Sequence, residues 1–187
     1  MDKFNKDIFE SSFEKILKSL GNKIDKDGTK DTPKRVAKAY EELLSGYTTD
    51  IKETINNALF DVNFDEIIIV KNIKFYSLCE HHMLPFFGKI DIGYLPSEKI
   101  IGLSKIPRIT RIFARRLQVQ ERLTEQIGEA IFNNTQALGA GVVVKAQHMC
   151  SSMRGVNLPE TEMITSSLFG TFKSDNATRK EFFDLIK

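Results

Sequence analysis

Phe9, Phe13, Ile16, Leu17 and Leu20 recur every three or four positions, the spacing of an amphipathic helix, and Gly21-Asn22 supplies its stop. The polar run DKDGTKD that follows is predicted to be a loop. Its glycine stands fourth after Asp25, where a calcium-binding EF-hand loop needs it sixth, so calcium is not expected there. A second helix opens at DTPKRVAKAYEELLSGY, with Asp31 or Thr32 as N-cap and Pro33 in the first turn. Val36, Ala39, Tyr40 and Leu43 lie on one side, and Gly46 ends it.

From Glu66 the pattern shifts to β-branched and aromatic residues. EIIIVKNIKFYSL (66–78), FFGKIDIGYL (86–95), GVVVKAQHMC (141–150) and MITSSLFGTFKS (163–174) read as four strands. Between the second and third lie two helical stretches, SKIPRITRIFARR and QVQERLTEQIGEAIFNNTQAL, the latter with Val119, Leu123, Ile127 and Ala130 on one stripe. A last helix over ATRKEFFDLI follows the cap Asp175-Asn176. The order strand, strand, helix, helix, strand, strand makes the chain α+β, with an N-terminal helical region (1–64) before a sheet-bearing region (65–187).

Composition narrows the partners. The chain has 187 residues, 41% of them hydrophobic, enough for a real core. Its 27 basic and 25 acidic residues leave a formal charge of +2, too balanced to advertise a nucleic-acid or membrane surface. Neither a secretory signal nor an apolar run of about 18 residues is visible, so a cytoplasmic protein acting on a small ligand is expected. In that compartment the two cysteines, 71 positions apart, suit metal ligands or free thiols better than a disulfide.

Candidate chemistry is concentrated in two places. CEHH holds Cys79, His81 and His82, and HMC holds His148 and Cys150, so every cysteine and histidine falls into one of two short clusters. Cys79 and His82 point to opposite faces of an ideal strand and can share a metal only if the chain turns at once, which Pro85 favours. His148 and Cys150, two apart, would share a face with Val144 and Ala146 on a strand. Three ligands, Cys79, His82 and Cys150, would leave zinc a fourth position for water, with His81 and His148 free for proton transfer. A closed structural site with His81 or His148 as fourth ligand is the alternative, as are buried thiols beside hydrogen-bonded histidines.

GLSKIPR sets Ser104, Lys105 and Arg108 at a helix start, suited to phosphate, although a solvated basic face is the common origin of such a group. Arg111, Arg115 and Arg116 read as surface or subunit-contact charges, and Arg154 lies close after the second cluster. Glu121 taken alone reads as an ordinary exposed glutamate.

Taken together, CEHH (79–82), GLSKIPR (102–108), QVQERL (118–123), HMC (148–150), MRG (153–155) and TSSLFGTF resemble GTP cyclohydrolase I, the zinc-dependent family that begins pterin and folate-type synthesis. The match runs from about Asp31 to Ile186, and its departures, Pro107 and Met149, fall between motif residues. The resemblance implies a tunnelling fold, a four-stranded antiparallel sheet with two helices between strands two and three. It also implies a decamer of two pentameric rings with shared active sites. Cys79, His82 and Cys150 correspond to zinc ligands, and His81 and His148 to the acid/base pair, with Ser104 near the sugar. Lys105, Arg108 and Arg154 correspond to triphosphate and ribose contacts, joined by Arg35 and Lys38 from a neighbouring subunit, while Gln120 and Glu121 correspond to guanine readers. The implied reaction converts GTP and water to 7,8-dihydroneopterin triphosphate and formate. Two rivals share features of the sequence: a tunnelling-fold nitrile reductase of queuosine synthesis, against which the paired CEHH and HMC speak, and a non-catalytic zinc-stabilised binding module.

Overall fold

The computed structural model describes residues 4–187. Helix α1 (Lys6–Ser19) is capped by Asn5, and a helical turn α2 (Lys26–Thr29), capped by Asp25, occupies the stretch predicted as a loop. Helix α3 (Thr32–Leu43) follows with Pro33 in its first turn, then a 3-10 turn at Ser45–Tyr47 and helix α4 (Ile51–Ile55). Strand β1 (Leu59–Asp61) precedes the long strands β2 (Ile68–Cys79) and β3 (Pro85–Leu95), and β4 (Lys99–Ile101) returns to pair with β1. That ladder ties residues on either side of position 64 together.

Helix α5 (Lys105–Ala114), a two-residue strand β5 (Leu117–Gln118) and helix α6 (Gln120–Thr135) lead to β6 (Gly139–His148). A helical turn α7 (Met149–Ser152), strand β7 (Met163–Gly170), a second turn α8 (Thr171–Ser174) and helix α9 (Asn176–Leu185) complete the chain. The main sheet runs β5-β2-β3-β6-β7, with antiparallel pairing through β2, β3, β6 and β7. This is the predicted sheet with its two helices between the second and third long strands, the order of the tunnelling fold. Besides the helical turn at α2, three expectations need correction. The third strand stops at His148, and Cys150 lies on a helical turn instead of the same strand face. The fourth stops at Gly170, where a positive φ of 54° opens a turn. Residues 117–118 form a short parallel strand against the end of β2, so helix α6 begins at Gln120.

Helices α5 and α6 cover one face of the sheet through Ile106, Ile109, Leu123, Ile127 and Ile131, against Ile90, Ile92, Val142 and Val144. A bulge in β2 between Val70 and Ile73 changes which side chains face those helices. Before it Ile68 and Val70 pack toward the core; after it Ile73, Phe75 and Cys79 do. Asn72 takes the left-handed φ of 61° that the bulge needs, and its N–H donates to Asp91 Oδ1 at 2.8 Å.

On the opposite face Phe172 and Phe182 are fully buried, their ring centroids 5.2 Å apart, edge to face. Gly93 and Gly141 pair across β3 and β6, and a Cβ at either would sit within 2.7–2.9 Å of these rings. Two bare backbones therefore form the seat for α9. Phe182→Ala removes a fully buried ring from that seat and is expected to lower unfolding stability by about 3–5 kcal/mol, read from chemical denaturation. A change below about 1 kcal/mol would show that α9 is not held by this contact. Among the described residues no helix is long and apolar enough to cross a membrane.

Candidate metal and substrate site

Strands β2 and β6 both run antiparallel to β3, so they end at the same edge of the sheet, where β3 begins. Ser77, Phe86 and His148 are aligned across the three strands, and each cysteine lies two residues beyond that row. After Cys79 the chain reverses tightly. The Cys79 carbonyl accepts from the N–H of His82 (3.3 Å) and Met83 (2.8 Å), and the Cys79 N–H donates to the Leu84 carbonyl. Met83 takes a left-handed φ of 53° to allow it. This is the immediate turn required for Cys79 and His82 to share a ligand. Glu80 is pinned from outside: its N–H donates to the Gln118 carbonyl, and its carboxylate takes a bidentate pair from Arg122 that holds its pKa below the ordinary range.

The ligating atoms of Cys79, His82 and Cys150 lie within 4.8 Å of one another, so the three could hold a metal ion. Ligands of a tetrahedral zinc stand roughly 3.5 Å apart, so a small contraction would close the set. Burial raises the Cys150 thiol pKa, and Cys79 beside it raises it further. A divalent cation between the two sulfurs offsets what opposes ionisation of Cys150. The donor set thus fits a thiophilic metal.

The two remaining histidines lie close by. His81 Nδ1 is 3.8 Å from Cys79 Sγ, and its side chain is 65% exposed. His148 is half-buried, its ring stacked on Phe86 at 4.7 Å between centroids and 2° between planes. Burial pushes its pKa down, while the Glu121 carboxylate pulls it up. Arg154 Nη1 donates to His82 Nε2 at 3.1 Å, which brings the MRG arginine to the cluster.

Gln120 is 1% exposed and its amide is fully engaged: Oε1 is 2.8 Å from His148 Nε2, and Nε2 faces the Val144 and Met163 carbonyls and Thr165 Oγ1. Both ends of its amide are thus turned toward β6, β7 and His148. Its neighbour Glu121 is exposed on the first turn of α6.

Ser104 is exposed at the start of α5, and its hydroxyl does not cap the helix. Lys105 Nζ donates to the Thr54 carbonyl at 2.8 Å. Lys105 and Arg108, with Arg111 and Arg115, line a cavity of about 310 Å³ against α4 and the 3-10 turn. None of the three cluster residues is among its described lining, so within one chain the basic cavity and the Cys-His-Cys group are separate. Arg35 and Lys38 are exposed on α3, Arg35 paired with Asp31 at 3.3 Å on its own helix. Two residues that sequence reasoning left out support the site. Phe86 backs His148, and Tyr40 donates through its hydroxyl to the Met83 carbonyl at 3.3 Å, joining α3 to the CEHH turn. Phe86 could be found only from the β3–β6 register; Tyr40 was visible as a helix-face aromatic without a reason to reach the turn.

A sheet whose antiparallel strands β2, β3, β6 and β7 bring two thiols and an imidazole together at one end, with two further histidines close by, defines an α+β protein with a metal-capable site. A family model described as GTP cyclohydrolase I matches residues 9–187. A "GTP cyclohydrolase 1" of Leptospira biflexa is 53% identical over 178 residues, covering 95% of this chain and 97% of the relative. One of Campylobacter jejuni is 51% identical, covering 95% of this chain and 94% of its own, and one of Methylococcus capsulatus is 48% identical over 179 residues, covering 96% and 97%. A solved structure of archaeosine synthase QueF-Like overlaps 58% of this chain and 97% of its own, at 14% identity and TM-score 0.46. The chain belongs to the GTP cyclohydrolase I family, a family of enzymes. Neither the nitrile reductase nor the binding-module reading is favoured by these matches.

Proposed function

We propose that this chain opens the imidazole ring of GTP, releasing formate and forming 7,8-dihydroneopterin triphosphate. The observation that supports this most directly is the convergence of Cys79, His82 and Cys150 beside two further histidines. Zinc suits two thiolates and an imidazole, and when bound it supplies Lewis acidity that makes water nucleophilic near neutrality. His81, exposed next to Cys79, is the acid that protonates N7 as water adds to C8 and the five-membered ring opens. His148, kept neutral by burial, takes up and returns protons while the formyl group leaves as formate. Ribose opening, rearrangement and closure onto the freed amine follow with Ser104 at the sugar, so that one water is consumed overall.

Lys105, Arg108 and Arg154 bind the triphosphate, with Arg35 and Lys38 of a neighbouring subunit. The separation of the basic cavity from the metal group within one chain supports a site completed between subunits. The sheet supports ring assembly too: β7 is an open edge, and β5 covers only Leu78 and Cys79 of β2, leaving most of that edge unpaired. Pairing edge to edge around a ring of five removes both, and two rings give a decamer. A cytoplasmic location goes with this substrate.

Glu121 reads guanine, because a carboxylate accepts from both N1–H and the exocyclic amine, which adenine does not offer. Glu121→Gln replaces one acceptor by a donor facing guanine's donors. It is expected to lower kcat/KM for GTP about a hundredfold, near 3 kcal/mol, with metal content and elution volume unchanged. Normal kcat/KM would return Glu121 to the solvated helix face. The overall reading is tested by incubating purified protein with GTP and measuring formate and a pterin that fluoresces after oxidation. If neither appears from protein carrying its metal, the proposal fails.

A further inference from the structure

We propose that Gln120 is a positioning residue that holds His148 as the tautomer protonated on Nε2, leaving Nδ1 as the nitrogen that exchanges a proton. The inference rests on the proton-transfer role given to His148 above, but its physical content is independent of turnover.

The amide cannot be turned around. Its nitrogen faces three acceptors, the Val144 carbonyl at 3.1 Å, the Met163 carbonyl at 2.9 Å and Thr165 Oγ1 at 3.1 Å. Reversal would press a carbonyl oxygen against those three oxygens in a site that is 1% exposed. The hydroxyl chain agrees with this polarity. Thr124 Oγ1 donates to the Gln120 carbonyl at 2.7 Å, so the 2.6 Å contact between the two threonines takes its hydrogen from Thr165. That leaves Thr165 Oγ1 free to accept from Gln120. Oε1 of Gln120 is thereby directed at His148 Nε2, 2.8 Å away, and an amide oxygen can only accept. Nε2 must therefore carry the proton. Phe86, stacked within 2° of parallel, fixes the plane of the same ring. A carbonyl that orients a working imidazole through its second nitrogen is a known device for choosing which nitrogen stays basic. Here the carbonyl belongs to a side chain locked between β6 and β7, so the tautomer is set by the sheet.

The test is ¹⁵N-histidine NMR of the purified, metal-loaded protein. Only three histidines are present, and His148→Ala assigns the resonance pair of interest. The expected spectrum shows pyrrole-type Nε2 and pyridine-type Nδ1 for His148. In Gln120→Leu, of similar volume, that pattern should give way to mixed tautomers, and kcat should fall by about 10–100-fold with KM for GTP little changed. Loss of stability alone would shift the melting midpoint without altering the tautomer. A wild-type His148 protonated on Nδ1 overturns the proposal, and that result needs no variant to fold. So does a folded Gln120→Leu protein that keeps both the tautomer and kcat. If the tautomer is locked as described but His148→Ala turns over GTP normally, the lock stands and the proton-transfer reading fails.

Discussion

Cys150→Ser is expected to empty the metal site and end GTP turnover. Of the three candidate ligands, Cys150 comes from the far side of the cluster, on the helical turn that begins where β6 stops, while Cys79 and His82 share one tight turn. A serine hydroxyl is a harder donor that does not ionise near neutrality, so the set would fall from two thiolates and an imidazole to one of each. Metal analysis of protein prepared without chelator should read about one zinc per chain in the wild type, as three protein ligands per chain imply, and near zero in the variant. Cys150 is the better choice than Cys79 for this measurement. Cys79 is 7% exposed and belongs to the main core cluster, so its replacement would also disturb packing, whereas Cys150 only lies against that cluster. Full zinc occupancy in Cys150→Ser would remove it from the ligand set.

The second large effect concerns the histidines left outside that set. Alanine at His81 or at His148 should slow turnover by about 10²–10⁴, the contribution of a positioned acid or base, with zinc retained. The two variants are expected to differ in stability. His81 is 65% exposed at the side chain, so its loss leaves nothing unpaired inside the protein. His148→Ala strips the stacking partner from Phe86 and leaves Gln120 Oε1 buried without a donor, a cost of about 1–3 kcal/mol. A thermal melt beside the kinetic measurement separates that cost from the catalytic one. Zinc lost from His148→Ala would instead make His148 a fourth ligand and the site a closed, structural one. Unchanged turnover in His81→Ala would take N7 protonation away from it.

Much of this was readable along the chain. Apolar periodicity set out the four long strands and the two helices between them, because each element buries one face and period is a local property. Errors arose where a strand ended early. GVVVKAQHMC continues an extended pattern through Cys150, yet the chain coils after His148, because His148 already faces Phe86, the second residue of β3, and Pro85 before it has no N–H to extend the ladder. MITSSLFGTFKS likewise turns at Gly170, a stop that period-two alternation does not mark. The two-residue β5 was hidden for the same kind of reason: it exists only because the end of β2 lies beside it.

The identities of the donors, their grouping into CEHH and HMC, and the need for a turn after Cys79 follow from residue chemistry and spacing alone, since both are covalent facts of the chain. Their meeting does not. It depends on β2 and β6 ending at one edge across β3, and on the bulge at Asn72 that brings Cys79 onto the helix-covered face with Phe86 and the His148 row. A bulge inserts one residue and inverts the alternation beyond it, and whether a polar pair such as Lys71-Asn72 does so is decided by its partner strand, here through Asp91. Gln120 shows the same division. The resemblance pairs it with Glu121 as a guanine reader, and burial between β6 and β7 sets its amide against His148, because a buried amide must satisfy its hydrogen bonds where the packing leaves it.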